Sequence, residues 1–347
     1  MHVKGRAHSR MKILILGVTG QDGAWLSKLL LEEGHEVFGV VRRTSSPSNF
    51  WRLADLGILG KIHLIPGDVT DITSLIAALK FSKPQECYNL SAMSFVKVSF
   101  DMPFATANID ALGALNVLEA IRVVDDSIRV YFAGSSEMWG RNGQETNDED
   151  ARLVPASPYA LSKVFGFQST RMYREAYGIY AVTGILTNHD SSIRGLEFVT
   201  RKTTNYIGGL VAGKNRGKLQ LGNLNAIRDF GYAPQFVASM PLMLRQSQPD
   251  DFVVATGIGH SVKDVLRMAF EFADEDWKDH VEIADSEKRP LDVDRLVGDA
   301  SKARRILGWT PQVTSSEIIE IMVQKDIERW KRYSRGEVFP WDVTPSA

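Results

Sequence analysis

Lys12-Ile13-Leu14-Ile15-Leu16-Gly17-Val18-Thr19-Gly20-Gln21-Asp22-Gly23 opens the regular part of the chain. An apolar run breaks at Gly17, and apolar residues then recur at helical spacing from Ala24 to Glu33, stopping at Gly34. The reading is strand, glycine turn, helix. In that setting bare backbone can approach a pyrophosphate, and the helix N-terminus supplies partial positive charge. A lone Gly-x-x-Gly-x-x-Gly is as often a plain turn, so the context carries the assignment. It makes Gly17, Thr19, Gly20, Gln21, Asp22 and Gly23 the candidate phosphate-binding residues of a dinucleotide site.

Outward from this turn the same alternation repeats. Strands are expected at Glu36–Val41, Ile62–Ile65, Glu86–Leu90 and Arg129–Ala133, with helical stretches such as Ser74–Lys80 and Ala107–Val123 between them. Apolar strands alternating with helices predict an α/β fold of the Rossmann class, a doubly wound parallel sheet covered on both faces. From about Asn188 the rhythm loosens into glycine-rich and charged segments (Gly208-Gly209, Gly213 to Gly217, Gly222 to Asp229). A helix near Gln235–Gln246 and a strand at Phe252–Ala255 follow. The expectation is a smaller, discontinuous α/β substrate-binding domain over about 188–229 and 257–335. The dinucleotide-binding domain would take 11–187 and about 230–256, with a flexible extension at 1–10 and a tail at 336–347. Ligands of open α/β sheets gather beyond the carboxyl ends of the strands, so the cleft between the two domains is the expected site.

Composition restricts the function. The 347 residues are 44% hydrophobic and 24% charged, with net charge -1 and no long stretch of one sign, which argues against nucleic acid as a main partner. No apolar run approaches the roughly 20 residues of a membrane helix. The first ten residues carry His2, Lys4, Arg6, His8 and Arg10 with no signal-type apolar core behind them, so no membrane association and a cytoplasmic location are expected. The one cysteine, Cys87, reads as a buried small hydrophobe. No metal site is expected.

After the second strand, where an acidic residue would hold a ribose 2′-hydroxyl, the chain has Arg42-Arg43-Thr44-Ser45. Two guanidiniums and two hydroxyls suit a 2′-phosphate and therefore NADP; the alternative is a solvated basic turn. Asp68-Val69 is placed to meet the adenine or, equally, to lie at the cap of the helix beginning near Asp71.

Ser157-Pro158-Tyr159-Ala160-Leu161-Ser162-Lys163 joins an N-cap serine and an N1 proline to a tyrosine four residues before a lysine, which one helical turn places on one face. A nearby ammonium, with a nicotinamide's positive charge, is expected to lower the phenol's proton affinity so that Tyr159 takes a proton from an alcohol as hydride leaves. In isolation the pair would be an exposed helix pair; after five βα units it becomes a catalytic candidate. Upstream, Ser135-Ser136-Glu137 ends a buried strand at the sheet's carboxyl edge. Ser135 is the natural third partner and Glu137 a general base or acid, the alternative being turn-forming serines and a solvated cap.

These segments resemble the extended short-chain dehydrogenase/reductase family and, through more specific strings, the GDP-mannose 4,6-dehydratases. The strings include Tyr88-Asn89-Leu90, Ser135-Ser136-Glu137-Met138, Asn188-His189, Phe198-Val199-Thr200-Arg201-Lys202, Leu221-Gly222-Asn223-Leu224, Arg228-Asp229 and Arg289-Pro290, and the resemblance runs from about 11 to about 330. It implies that Ser135, Glu137, Tyr159 and Lys163 are catalytic. It implies that Leu90, Ser91, Ala92, Ser94, Lys163, His189 and Arg194 join the glycine turn, Arg42, Arg43, Asp68 and Val69 around NADP. A GDP-sugar would be held by Ser94, Ser135, Glu137, Asn188, Val199, Lys202, Leu221, Arg228, Arg289 and Asp292. Ser135 stands where threonine is usual, Asp190 and Asp292 where glutamate is, Ser192 where proline is and Ala105 where tyrosine is frequent.

The implied chemistry is oxidation at the sugar's C4, loss of water across C5 and C6, and return of the hydride to C6, with NADP regenerated. Rival expectations are another GDP-sugar such as a GDP-heptose, another reaction of the same scaffold (epimerisation, decarboxylation, reduction), or a nucleotide-sensing protein without turnover. The resemblance also implies a homo-oligomer, tetramer before dimer, with Ser46-Pro47-Ser48-Asn49-Phe50-Trp51-Arg52 as an arm toward a neighbour or a loop packed on its own domain.

Overall fold

In the computed structural model, which describes residues 10–43, 50–215 and 217–342, the apolar runs become strands, those at the centre of the main sheet buried on both faces. In chain order these are β1 (Lys12–Leu16), β2 (Glu36–Val41), β3 (His63–Pro66), β4 (Glu86–Asn89), β5 (Arg129–Ser135), β6 (Ala181–Leu186), β7 (Asn188–Asp190), β8 (Leu219–Leu221), β9 (Ile227–Tyr232), β10 (Asp251–Val254), β11 (Gly259–Ser261), β12 (Val281–Ile283) and β13 (Arg295–Leu296). Seven of them form one sheet in the order β10-β6-β5-β4-β1-β2-β3. Every neighbouring pair is parallel. The side-chain alternation of a strand is visible in β1: Ile13 and Ile15 enter one apolar cluster, Leu14 and Leu16 the cluster on the other side. The chain order reverses between β1 and β4, and that switch point fixes where a ligand crevice opens.

The remaining strands make smaller sheets. β9 is flanked by β11, antiparallel, and by β13 and β7, parallel; β8 pairs with β12. A third apolar cluster, with Ile207, Leu221, Phe230, Leu266, Phe270, Ile319 and Val323, joins these strands to the helices Val199–Val211, Val262–Glu271 and Ser315–Ser334. Two of these helices start in capping boxes, Ser261 with Asp264 and Thr314 with Glu317. Behind them lies a buried charge network. Arg201 forms a two-pronged pair with Asp326 at 2.8 and 2.9 Å, and Asp326 also accepts from Thr204 and Arg329.

Several expected elements differ in detail. The helix expected from Ala107 begins as a π-helical turn, Ala107–Leu112, before the α-helix Gly113–Val124. The helix expected over Gln235–Gln246 is Ala233–Leu244. Asp71, not Asp68, caps the helix Ile72–Ser82 by accepting from the Thr73 N–H. Thr44 and Ser45 of the basic turn and residues 46–49 of the expected arm lie outside the described residues. Its end, Phe50 to Arg52, packs at home, because Trp51 is buried in an edge-on contact with Trp341 and Arg52 donates to the Ile193 and Thr19 carbonyls. Phe339 and Trp341 stack on each other at 4.8 Å, so the first part of the expected tail carries an aromatic plug. Among the described residues no helix is long and apolar enough to cross a membrane.

Candidate active site

The glycine turn closes onto the sheet's switch point. A Cβ at Gly17, which has φ +81°, would lie 2.8 Å from the Leu90 carbonyl carbon and oxygen, so the turn after β1 meets the end of β4 without room for a side chain. A Cβ at Gly23 would collide with the Gly17 carbonyl, which lets the helix Gln21–Glu32 begin directly on the turn. No side chain caps that helix, leaving its first N–H groups to an incoming anion. This cradle fits a dinucleotide pyrophosphate.

A single cleft is lined by residues from both halves of the chain. On the sheet side are Gly17, Gly20, Gln21, Asp22, Gly23, Leu90, Ala92 and Ser94; at its centre Ser135, Glu137, Tyr159 and Lys163. On the far side are Asn188, His189, Arg194, Val199, Lys202, Leu221, Arg228, Arg289 and Asp292. Thr19, Arg42, Arg43, Asp68, Val69 and Ser91 are not among the lining residues. Arg42 and Arg43 are exposed just beyond β2. The Asp68 carboxylate turns back to accept from Thr70, the Val69 side chain is buried in the core, and the Ser91 N–H donates to Asn89.

The central four come together through two local devices. Ser157 caps its helix by accepting from the Ala160 N–H, Pro158 starts it, and one turn carries Tyr159 and Lys163 inward. β5 ends in a single 3-10 turn, Ser136–Met138, held by the Ser135 hydroxyl accepting from the Glu137 N–H, and this turns Glu137 into the cleft. Ser135 thus forms the turn, and its hydroxyl also lowers the proton affinity of the Tyr159 phenol. Glu137 is not a solvated cap: it is buried and accepts from Arg289 at 3.1 Å.

The expected lowering of the Tyr159 proton affinity is not what the protein alone produces. Burial raises it, the Asp110 and Glu137 charges raise it further, and the Ser135 hydroxyl and the Arg194 charge only oppose this. The Lys163 ammonium stands 5.7 Å from the Tyr159 ring centre and donates to the Ala133 carbonyl at 2.9 Å. Burial lowers the Lys163 pKa, against the charges of Asp110 and Asp22.

His189 is held by a network that ties β7 to the glycine turn. Its Nε2 lies 2.8 Å from Asp22, its Nδ1 2.7 Å from the Thr187 carbonyl, and its ring stacks on Phe236. Gln21 donates to the His189 carbonyl and accepts from Ser191, which also accepts from the Trp25 indole. Arg194 lies 3.2 Å from Asp190 and stacks 3.5 Å from the Phe198 ring centre. Asp292 spends one oxygen on Asn223 at 3.0 Å and faces Arg228 at 3.4 Å with the other.

The structure adds lining residues that the sequence did not single out: Phe95, Lys97, Glu197, Asn223 and Glu287. Asp110, near Lys163 and Tyr159, was also missed. It is buried in the π-helical turn, accepts from the Met93 N–H at 2.8 Å and leaves its second oxygen unpartnered, with its pKa raised by burial. The signal was an acid within the apolar run Ile109 to Leu112. Among the described residues no cluster of three acidic, histidine or cysteine side chains could hold a metal.

A parallel Rossmann sheet whose crevice holds a serine, a tyrosine and a lysine one turn later defines an extended short-chain dehydrogenase/reductase. Solved structures share the fold. A UDP-glucose 4-epimerase from Thermus thermophilus in complex with NAD superposes with TM-score 0.78 at 24% identity, covering 91% of this chain and 99% of that one. A dTDP-glucose 4,6-dehydratase from Bacillus anthracis in complex with NAD gives 0.79 at 17% identity, covering 94% and 98%. The sequence comparison is more specific. The family described as GDP-mannose 4,6 dehydratase matches residues 14–322. GDP-mannose 4,6 dehydratase 1 of Arabidopsis thaliana is 46% identical over 92% of this chain and 90% of its own, and the Vibrio cholerae GDP-mannose 4,6-dehydratase is 38% identical over 97% and 99%. The chain belongs to the GDP-mannose 4,6-dehydratase family.

Proposed function

We propose that this protein is a hydro-lyase that converts GDP-D-mannose to GDP-4-dehydro-6-deoxy-D-mannose and water, with NADP regenerated in each cycle. The observation that carries the proposal is the meeting of a buried phenol, a buried ammonium, a hydroxyl and a carboxylate in one cleft that begins at an uncapped helix N-terminus. The names of the relatives supply the sugar nucleotide. A bound nicotinamide dinucleotide supplies reversible hydride transfer, from sugar C4 and back to C6, and a positive ring charge that opposes the burial effect on Tyr159.

The chain's own residues handle the protons. Tyr159, aligned by Ser135, takes the proton of the 4-hydroxyl, leaving a carbonyl at C4 that acidifies C5. Glu137 takes the C5 proton and passes it to the departing 6-hydroxyl, which leaves as water. Tyr159 then returns its proton to C5, and protons balance across the cycle. Lys163 keeps positive charge beside the phenol. His189 and Arg194 would hold the cofactor together with the glycine turn. Arg42 and Arg43, beyond β2, support NADP over NAD through a 2′-phosphate. Lys202, Arg228 and Arg289 face the diphosphate, and Ser94, Asn188, Val199, Leu221 and Asp292 complete the nucleotide-sugar side. In this reading the seven-stranded sheet serves the dinucleotide and the segments after Asn188 serve the sugar nucleotide.

We further propose a homo-oligomer. Leu161, Phe165 and Met172 lie on one exposed stripe of the helix Pro158–Tyr177, with Phe104 and Leu112 also exposed, an apolar surface that a second copy would cover. The decisive test of function is incubation with GDP-mannose. Mass spectrometry should find loss of one water from the sugar nucleotide, with dTDP- and UDP-hexoses unchanged; an unchanged GDP-mannose spectrum overturns the assignment.

A further inference from the structure

Three of the cations that line the cleft, those assigned above to the diphosphate, each have an acid beside them. Lys202 Nζ lies 3.1 Å from Glu287, Arg228 3.4 Å from Asp292, and Arg289 3.1 Å from Glu137. The three are not equivalent. Arg228 is buried and donates to the Ile227 and Val293 carbonyls, so main chain fixes it whatever binds. Among the described residues Arg289 has no such anchor: its one hydrogen bond is to Glu137, its next acid is Asp292 at 3.8 Å, and its side chain is 27% exposed against 10% for Glu137. The less anchored and more exposed member of the pair is therefore the arginine.

The acid it holds is the one assigned to the C5 proton. A carboxylate engaged by a guanidinium is a weak base, and the same carboxylate released in a water-poor pocket is a stronger one. A diphosphate competes well for the arginine, since it carries more charge than a carboxylate and accepts in two-pronged fashion. We propose that Arg289 is exchanged, pairing with Glu137 in the empty cleft and with the substrate's diphosphate in the loaded one, so that nucleotide binding readies Glu137 as a base. The exchange rests on the GDP-sugar reading above. It explains how a buried acid is kept neutralised between turnovers without being neutralised during one. Glu137 also faces Arg228 and Tyr159, and these contacts are not broken by the exchange.

The experiment uses GDP alone, which has the diphosphate and no reacting sugar, so binding is read without turnover. If Glu137 competes with GDP for Arg289, Glu137→Gln tightens GDP binding in calorimetry by roughly tenfold, within the coupling expected of contacting charges. In an Arg289→Met background the same change alters GDP affinity by less than about twofold. Equal tightening in both backgrounds means simple repulsion between Glu137 and the ligand and overturns the exchange, as does no tightening in wild-type background. A crystal structure of the unaltered protein with GDP gives a second reading independent of the variants. Arg289 should sit on phosphate oxygens and beyond hydrogen-bond reach of Glu137, and an intact pair overturns the proposal. Failure of the unaltered protein to bind GDP removes the nucleotide assignment itself and the exchange with it, whereas GDP binding without coupling removes the exchange alone.

Discussion

The Lys163 ammonium donates to the Ala133 carbonyl at 2.9 Å while standing 5.7 Å from the centre of the Tyr159 ring. The lysine is thus anchored to the end of β5 and acts on the phenol through space. Tyr159→Phe removes the proton acceptor and nothing that holds the fold. Its kcat should fall by about 10²- to 10⁴-fold, the usual worth of a general acid–base group, with an unchanged melting temperature. A variant retaining more than a tenth of the activity would take the phenol out of the mechanism.

Asp110 raises the proton affinity of Tyr159, and its own second oxygen has no partner among the described residues. Removing its charge by Asp110→Asn should move the acid limb of the pH–rate profile to lower pH, because the phenol then loses its proton more readily. A merely structural Asp110 would change amplitude or stability and leave the limb where it was.

Burial disfavours both charges of the Asp22–His189 pair, yet their mutual attraction prevails, so Asp22 sits below its ordinary value and His189 above. The Asp22 contribution to stability is present above the ordinary carboxylate value of about 3.9 and fades as pH falls through the lowered one. The His189 contribution is complete below about 6.5 and fades as pH rises through the raised one. The melting-temperature advantage of the unaltered protein over His189→Asn should therefore be largest in mildly acidic buffer and shrink toward alkaline pH. An advantage that grows with pH contradicts the pairing.

Asp326 accepts from Arg201, Thr204 and Arg329 with no exposure to solvent. Asp326→Asn leaves two buried guanidiniums undercompensated and should cost about 3–5 kcal/mol in denaturant unfolding. The folded fraction should keep its kcat, since the network lies behind the cleft. A loss under about 1 kcal/mol would mean that water reaches the network.

If the Leu161, Phe165 and Met172 stripe is covered by a second copy, Phe165→Glu places a charge in an apolar interface. Sedimentation should then give a smaller assembly than the unaltered protein. An unchanged sedimentation coefficient would direct attention to another face.

What could be read along the chain was local. Strand ends fell within a few residues of expectation because apolar runs bounded by glycine and polar residues mark buried strands, and the Ser157-Pro158 start of a helix is a property of adjacent residues. The convergence of Tyr159 with Lys163 needs only one helical turn. The Phe50-Trp51-Arg52 segment was less legible, since the partner of Trp51 is Trp341, at the far end of the chain. Asp110 was invisible for a related reason: burial and a missing hydrogen bond are properties of its surroundings.

The sequence by itself determined the alternation of strands and helices, the glycine turn and the side-chain types available for proton transfer, because each depends on neighbours within one or two turns of chain. Only the tertiary structure decided which charges meet. Glu137 finds Arg289, Asp22 finds His189 and Lys202 finds Glu287 across 152, 167 and 85 residues. Those pairings, together with burial, set how readily each group gains or loses a proton, since electrostatic energy depends on distance and dielectric in space and not on separation along the chain.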